Sequence, residues 1–336
     1  MTDMADTKAV ATEHVPLARY WAGRILRSAP IYLVLAILLV WISFLNPRFF
    51  EPAVFMSFLM RAAPLMILAA GQLFVIVSGG FDLSVGSLIT FVVLGGALMA
   101  GADPSTTWWV IMVLFLFGAA VGVFNGAVVS YLKVPSIITT LGMLLTLKGA
   151  ALLWSGGSPR GHLPDNFRIF GRGRLSGVPF VEQVPYAVII LLVVAAVAIY
   201  LMHGTNFGRQ LYAVGDNPRT AALSGVSIPR IRILAFLISA VSAVIAGILL
   251  GGFSGVSVAV GEGYELQAIS AVVLGGAQLL GGRGSMPAAM AGALTLAALF
   301  MLLNMLGLPA PFRIAVQGFI IISAVAYASF RESRAS

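Results

Sequence analysis

Polar residues are scarce in this chain, so the few that interrupt its apolar runs are the ones able to do chemistry. The stretch Val77–Leu88, VSGGFDLSVGSL, sets Asp82 and Ser84 just behind the pair Gly79 and Gly80. Gln72 precedes it closely, and Asn125, Asn304 and Gln317 are isolated amides in later apolar runs. Two readings of the stretch stand side by side. In one, Gly79-Gly80 ends a helix, and Asp82 or Ser84 caps the next by accepting its orphan N–H bonds. In the other, the break lines a solute pathway. Non-helical backbone at membrane depth is tolerated only inside protein or against water, and an acid there is costly unless paired or solvated. Gln72 and Gln317 suit either hydrogen bonding to a sugar or contact between helices. Depth in the membrane separates the readings, and these eight residues are the candidate pathway set.

Other chemistry is excluded more directly. The chain has no cysteine, which removes disulfides, thiol catalysis and thiolate metal sites. It has no GxxxxGK[ST] loop, so it is not expected to bind ATP itself. Gly252–Gly255, GFSG, matches the pattern of intramembrane serine proteases. That chemistry needs a histidine base, and the histidines, at 14, 162 and 203, all precede Ser254. Glu262 and Glu265 read either as solvated loop acids or as acids that meet a polar ligand or partner at the outer face. No catalytic residue, metal or cofactor is therefore expected in this chain.

The elements that must position these residues are membrane spans. Of 336 residues, 60% are hydrophobic and 10% charged, against about a quarter charged in soluble domains. Apolar runs of spanning length recur between short polar breaks, which makes this an all-α polytopic membrane protein. Ten spans are expected near 30–45, 53–79, 83–101, 108–131, 135–154, 185–203, 231–254, 266–280, 287–307 and 311–330, the second interrupted at Arg61 and Pro64. With the N-terminus inside, twelve basic residues fall in inner segments and six in outer ones. That bias predicts a cytoplasmic tail at 1–29 and another at 331–336. Residues 155–184 read as a long outer loop rich in Gly, Pro and Arg.

VVLGGA occurs at Val92–Ala97 and again at Val272–Ala277, and Asn125 and Asn304 recur at nearly the same offset. The offset spans five helices, so the halves, about 53–154 and 231–330, would form inverted repeats, a transporter signature.

GQLFVIVSGGFDLSVGSL resembles the signature of the permease subunits of ribose-type ATP-binding cassette importers. Three further stretches follow in the family's order: FGRQLYAVGDNPRTAALSGVSIPRIR, LQAISAVVLGGAQLLGGRGS and NMLGLPAPFRIAVQG. One departure is Phe81, where the family would carry a small aliphatic. The resemblance covers about residues 31–330. It implies a pathway for a sugar or sugar-like solute across a bacterial inner membrane, a second permease subunit, and a periplasmic or lipid-anchored binding protein. It also implies a cytoplasmic ATPase that binds the ATP and Mg2+.

The longest inner segment, 204–230, carries DNPRTAALSG. This reads as a short helix with Asp216 or Asn217 as cap, Pro218 in its first turn, Arg219 to Leu223 as its body and Gly225 as its stop. So short a helix needs a partner surface, and the small residues Ala221, Ala222 and Ser224 suit insertion into a cleft. By the resemblance, that cleft is on the ATPase. The alternatives are an ion-gradient-driven transporter or channel, or a related permease for branched-chain amino acids. The first would want embedded ionisable residues, and apart from Asp82, Arg61 and Lys148 the spans have almost none.

Overall fold

The computed structural model describes residues 29–323 except 102, 179, 180, 310, 313, 317, 320 and 321. Residues 1–28 of the predicted N-terminal tail, the whole C-terminal tail, Gln317 and most of the tenth expected span lie outside the described residues; those described between 311 and 323 are helical, and Ala29, placed in the tail, begins the first helix. Helices dominate because lipid offers no partner for backbone N–H and C=O groups, which must bond within the segment.

Twelve α-helices can be bounded among the described residues. They are α1 (Ala29–Leu45), α2 (Pro52–Val77), α3 (Val85–Ala100), α4 (Thr107–Tyr131), α5 (Ser136–Ser155), α6 (Asp165–Arg172), α7 (Tyr186–Gly204), α8 (Asn206–Asp216), α9 (Pro218–Leu223), α10 (Ile228–Ser254), α11 (Tyr264–Leu274) and α12 (Met286–Met305). Six of them, α2, α4, α5, α7, α10 and α12, are long and apolar enough to cross a membrane. The expected interruption of the second span is absent. Pro64 is buried within a continuous α2, where neighbouring helices offset the lost N–H bond.

Three apolar helices are shorter. α11 has 11 residues, about 16 Å at 1.5 Å per residue, roughly half of a ~30 Å hydrocarbon core. Its flanks, 255–263 and 275–285, are non-helical. Here the repeated hexapeptide has two conformations. Val92–Ala97 lies wholly inside α3, whereas at Val272–Ala277 the helix stops at Leu274 and Gly276 takes φ 81°. The turn-rich QLLGGRGS after the second copy ends the helix that the LMA after the first copy extends.

α10 is the hub, packing on α4, α2, α3 and the short α6, while α2 also meets α12, α11 and α7, and α1 lies on α12. Leu73, Phe74 and Phe236 lie in one core, and Leu88, Val92, Leu114 and Val244 in a second. Apolar faces of α1 (Ile37, Phe44), α5 (Ile138, Leu153) and α7 (Leu192, Val193) stay exposed, as a lipid-facing periphery would.

The expected loop at 155–184 is partly ordered into elements. Phe167 of α6 is fully buried, and an Asp165–Arg172 ion pair joins the two ends of the helix. An antiparallel hairpin follows, β1 (Arg174–Val178) with β2 (Val181–Pro185), pairing Arg174 with Pro185.

Candidate functional site

The signature stretch forms a non-helical bridge between α2 and α3, and every polar atom of Asp82 has a partner. Its Oδ1 accepts from the Ser84 N–H (3.0 Å) and Ser84 Oγ (2.6 Å), and its Oδ2 accepts from Ser239 Oγ of α10 (2.9 Å). Gln72 of α2 grips the Asp82 backbone from both sides: its amide nitrogen donates to the carbonyl (3.3 Å) and its oxygen accepts from the N–H (3.2 Å). Asn125 of α4 donates to Ser84 Oγ at 3.1 Å. On α5, Ser136 Oγ accepts the Phe81 N–H (3.0 Å), and Thr140 Oγ1 donates to the Phe81 carbonyl (3.2 Å). Gln72, Asp82, Ser84, Asn125, Thr140 and Ser239 are each at most 1% exposed.

The bridge is therefore a polar knot closed by four helices, α2, α4, α5 and α10. This is the condition under which non-helical backbone survives at membrane depth, and three bonds to the Asp82 carboxyl tie the bridge to itself and to α10. Two expectations need correction. Ser84 occupies the cap position of α3 but makes no side-chain cap bond, and Asp82 takes the N–H of Ser84 instead of one in the helix. The reason is geometry: Ser84 has a helical backbone (φ −78°, ψ −13°), and its hydroxyl oxygen accepts from Asn125 while its proton goes to Asp82. The knot members Ser136, Thr140 and Ser239 went unpredicted, because single hydroxyls in apolar helices are common and carry no spacing signal.

The candidate pathway residues thus fall into separate places. Gln72, Asp82, Ser84 and Asn125 converge in the knot. Gly80 is buried beside it, with its N–H bonded to the Val75 carbonyl (3.0 Å), and exposed Gly79 turns at φ 85°. Asn304 is far from its repeat mate in environment. It is exposed at a groove of about 510 Å³ between α2, α11 and α12, whose lining also includes Ser57, Arg61, Gln267, Phe300 and Met301. Arg174 of the hairpin donates to Ser57 Oγ (3.1 Å), so β1 touches this groove. The groove combines apolar walls with a few convergent polar groups, the usual make-up of a small-molecule site.

The segment predicted to dock has the expected cap. Asn217, not Asp216, takes the cap position of α9 and accepts the Thr220 N–H (3.0 Å); Pro218 opens the helix, and Gly225 follows it at φ 82°. Arg219, Ala222 and Ser224 are exposed, as are Asp216, Asn217, Pro218 and Gly225. Ala221 is a correction, being buried against its own chain and unable to enter a partner's cleft. The side chain overlooked was Leu223, which projects with 85% of its surface exposed.

The segment before α9, unforeseen as a helix, ties the docking end to the rest. A Cβ on Gly215 of α8 would come 1.8 Å from the Val77 carbonyl of α2 and 2.4 Å from the Gly282 nitrogen. The Gly282 N–H in turn donates to that carbonyl (3.0 Å). The end of α2, the docking segment and the α11–α12 connection therefore meet backbone to backbone. Tyr212 of α8 adds a bond to the Gly284 carbonyl (2.7 Å).

A family model described as "Branched-chain amino acid transport system / permease component" matches residues 54–325. A ribose import permease of Bacillus subtilis is 35% identical over 300 residues, 88% of this chain and 90% of the relative. One of Escherichia coli K12 is 34% identical over 321 residues, covering 94% and 98%. An autoinducer 2 import system permease of Photorhabdus laumondii is 35% identical over 266 residues, covering 78% and 77%. No solved structure matches the chain. With the match spanning most of the chain and its multiple apolar helices, the protein belongs to this family of membrane permease components.

Proposed function

We propose that the chain is the permease subunit of an ATP-binding cassette importer and carries a sugar or sugar-like solute across the bacterial inner membrane. Full-length similarity to ribose import permeases carries this reading. The pathway we assign is the groove beside α2, α11 and α12, where Ser57, Arg61, Gln267 and Asn304 offer hydroxyl-matching donors and acceptors. The knot holds α2 and α3 in place behind it. ATP and Mg2+ belong to a cytoplasmic ATPase partner that receives Arg219, Ala222, Leu223 and Ser224. A second permease subunit and a binding protein complete the assembly, with both termini of this chain in the cytoplasm. ATP binding by the partner supplies the differential affinity that any two-state switch requires.

Inverted repeats fit the packing. α2, α3 and α4 recur in order as α10, α11 and α12; α10 packs on α3 and α4 as α2 packs on α11 and α12, and α2 and α10 pack on each other.

The test is uptake of a labelled sugar panel into proteoliposomes holding this permease, its ATPase and its binding protein. ATP-dependent uptake of a sugar, abolished by Arg219→Glu with Ala222→Asp while the permease stays folded, is the expected result. Uptake that follows a proton or sodium gradient without ATP would sink the reading. A second reading rests on the family description: leucine, isoleucine and valine belong in the same panel, and their uptake in place of sugars would establish it.

A further inference from the structure

A second cavity of about 510 Å³ opens beside the knot, at the end of the molecule where the docking segment runs into α10. Lys133, Ser136 and Arg232 are among its lining residues, and no acid is. Neither the Lys133 nor the Arg232 side chain has a hydrogen bond or ion pair among the described residues, although Arg232 is part-buried at the start of the second turn of α10. A part-buried cation without a counter-charge carries a desolvation cost that a bound anion would relieve. Lys133 is the single described non-glycine residue with a positive φ, 56°, a conformation uncommon outside turns and functional sites.

Two helix starts meet here. Pro135–Ser136 opens α5 and Ile228–Pro229 opens α10, and neither helix has a side-chain cap. Their first-turn N–H groups lack intrahelical acceptors and present the positive ends of two helix dipoles. Ser136 Oγ accepts from Phe81, which leaves its own proton free to be donated. Beside the cavity the ends of α4 and α5 expose Tyr131, Leu132, Ile137 and Ile138 at 50–70%.

We propose that this cavity binds the phosphoryl oxyanion of an anionic phospholipid headgroup, held by Lys133, Arg232 and the first turns of α5 and α10. A free phosphate would meet the same donors, but the exposed apolar side chains alongside provide a bed for acyl chains that only a lipid uses.

The full chain, purified in a neutral detergent, is titrated with a short-chain phosphatidylglycerol, with phosphatidylcholine of equal chain length, and with inorganic phosphate. Binding is read by native mass spectrometry and by the shift in melting temperature. Phosphatidylglycerol should bind tightest. At the usual contribution of a basic residue near anionic lipid, Lys133→Gln or Arg232→Gln should each weaken it about fivefold and the pair about 30-fold. Lys148→Gln, at the distant pair with Glu262, should leave it unchanged. If Arg232→Gln does not fold, exposed Lys133 still carries the test. Equal binding of the two lipids, or undiminished phosphatidylglycerol binding by the Lys133 variant, overturns the proposal. Phosphate binding as tightly as phosphatidylglycerol overturns the lipid and gives the cavity to a soluble anion.

Discussion

Replacing Asp82 separates a structural carboxylate from a transporting one. Asp82→Ala would strand three buried donors: the Ser84 N–H, the Ser84 hydroxyl and the Ser239 hydroxyl. Each orphaned buried donor costs about 1–3 kcal/mol. Removing the desolvated carboxyl returns part of that sum, so a net loss of about 3 kcal/mol or more is expected, a large share of a typical total of about 5–15 kcal/mol. Asp82→Asn should behave differently. The amide oxygen can still accept both bonds from Ser84, and the amide nitrogen can donate to Ser239 Oγ with that hydroxyl turned round. Its cost should stay within about 1 kcal/mol, with ATP-driven uptake retained. Equilibrium unfolding in mixed detergent micelles gives the stabilities, and proteoliposome uptake gives the function. The reasoning fails if Asp82→Ala unfolds like wild type. It fails equally if Asp82→Asn keeps full stability but loses all transport, since the carboxylate would then be acting on solute or ion.

Three further outcomes are expected. Gly215→Val should pry α8 from α2 and uncouple ATP hydrolysis from uptake, measurable as ATPase activity without transport, because its Cβ would meet the Val77 carbonyl at 1.8 Å. Asn217→Ala should cost α9 about 1 kcal/mol of cap energy and weaken co-purification of the ATPase, leaving the melting of the isolated permease nearly unchanged. Lys148→Gln should change unfolding by less than about 1 kcal/mol, since both partners of its ion pair with Glu262 are at least half exposed.

What was legible in the sequence follows from what lipid enforces. Long helices such as α4 and α10 stand out because a bilayer rewards continuous apolar runs, and α9 stands out because Asn217, Pro218 and Gly225 each have one obvious use. Pro64 misled, since its disruptive effect in water is absorbed by the helices packed around α2. α6 and its hairpin hid inside a Gly- and Arg-rich stretch whose order depends on α6 meeting α10 through Gly171 and Arg168. The knot was half legible: Asp82, Ser84, Gln72 and Asn125 are conspicuous amid apolar neighbours, yet their convergence is tertiary. The paired Asn125 and Asn304 show the limit of a repeat, for the same residue type is sealed in one half and exposed in the other.

The knot also sets a schedule for the protein's own synthesis. Ser84 is made moments after Asp82, but Ser239 emerges 157 residues later, roughly 8–30 s at ordinary translation speeds of about 5–20 residues per second. For that interval the carboxyl has two of its three native donors, and α3 cannot reach its final seat. The nascent chain must keep the Asp82 segment near water or in the care of the insertion machinery until α10 arrives. A ribosome stall placed between α7 and α10 should therefore leave this segment open to water-soluble labels that the finished protein excludes.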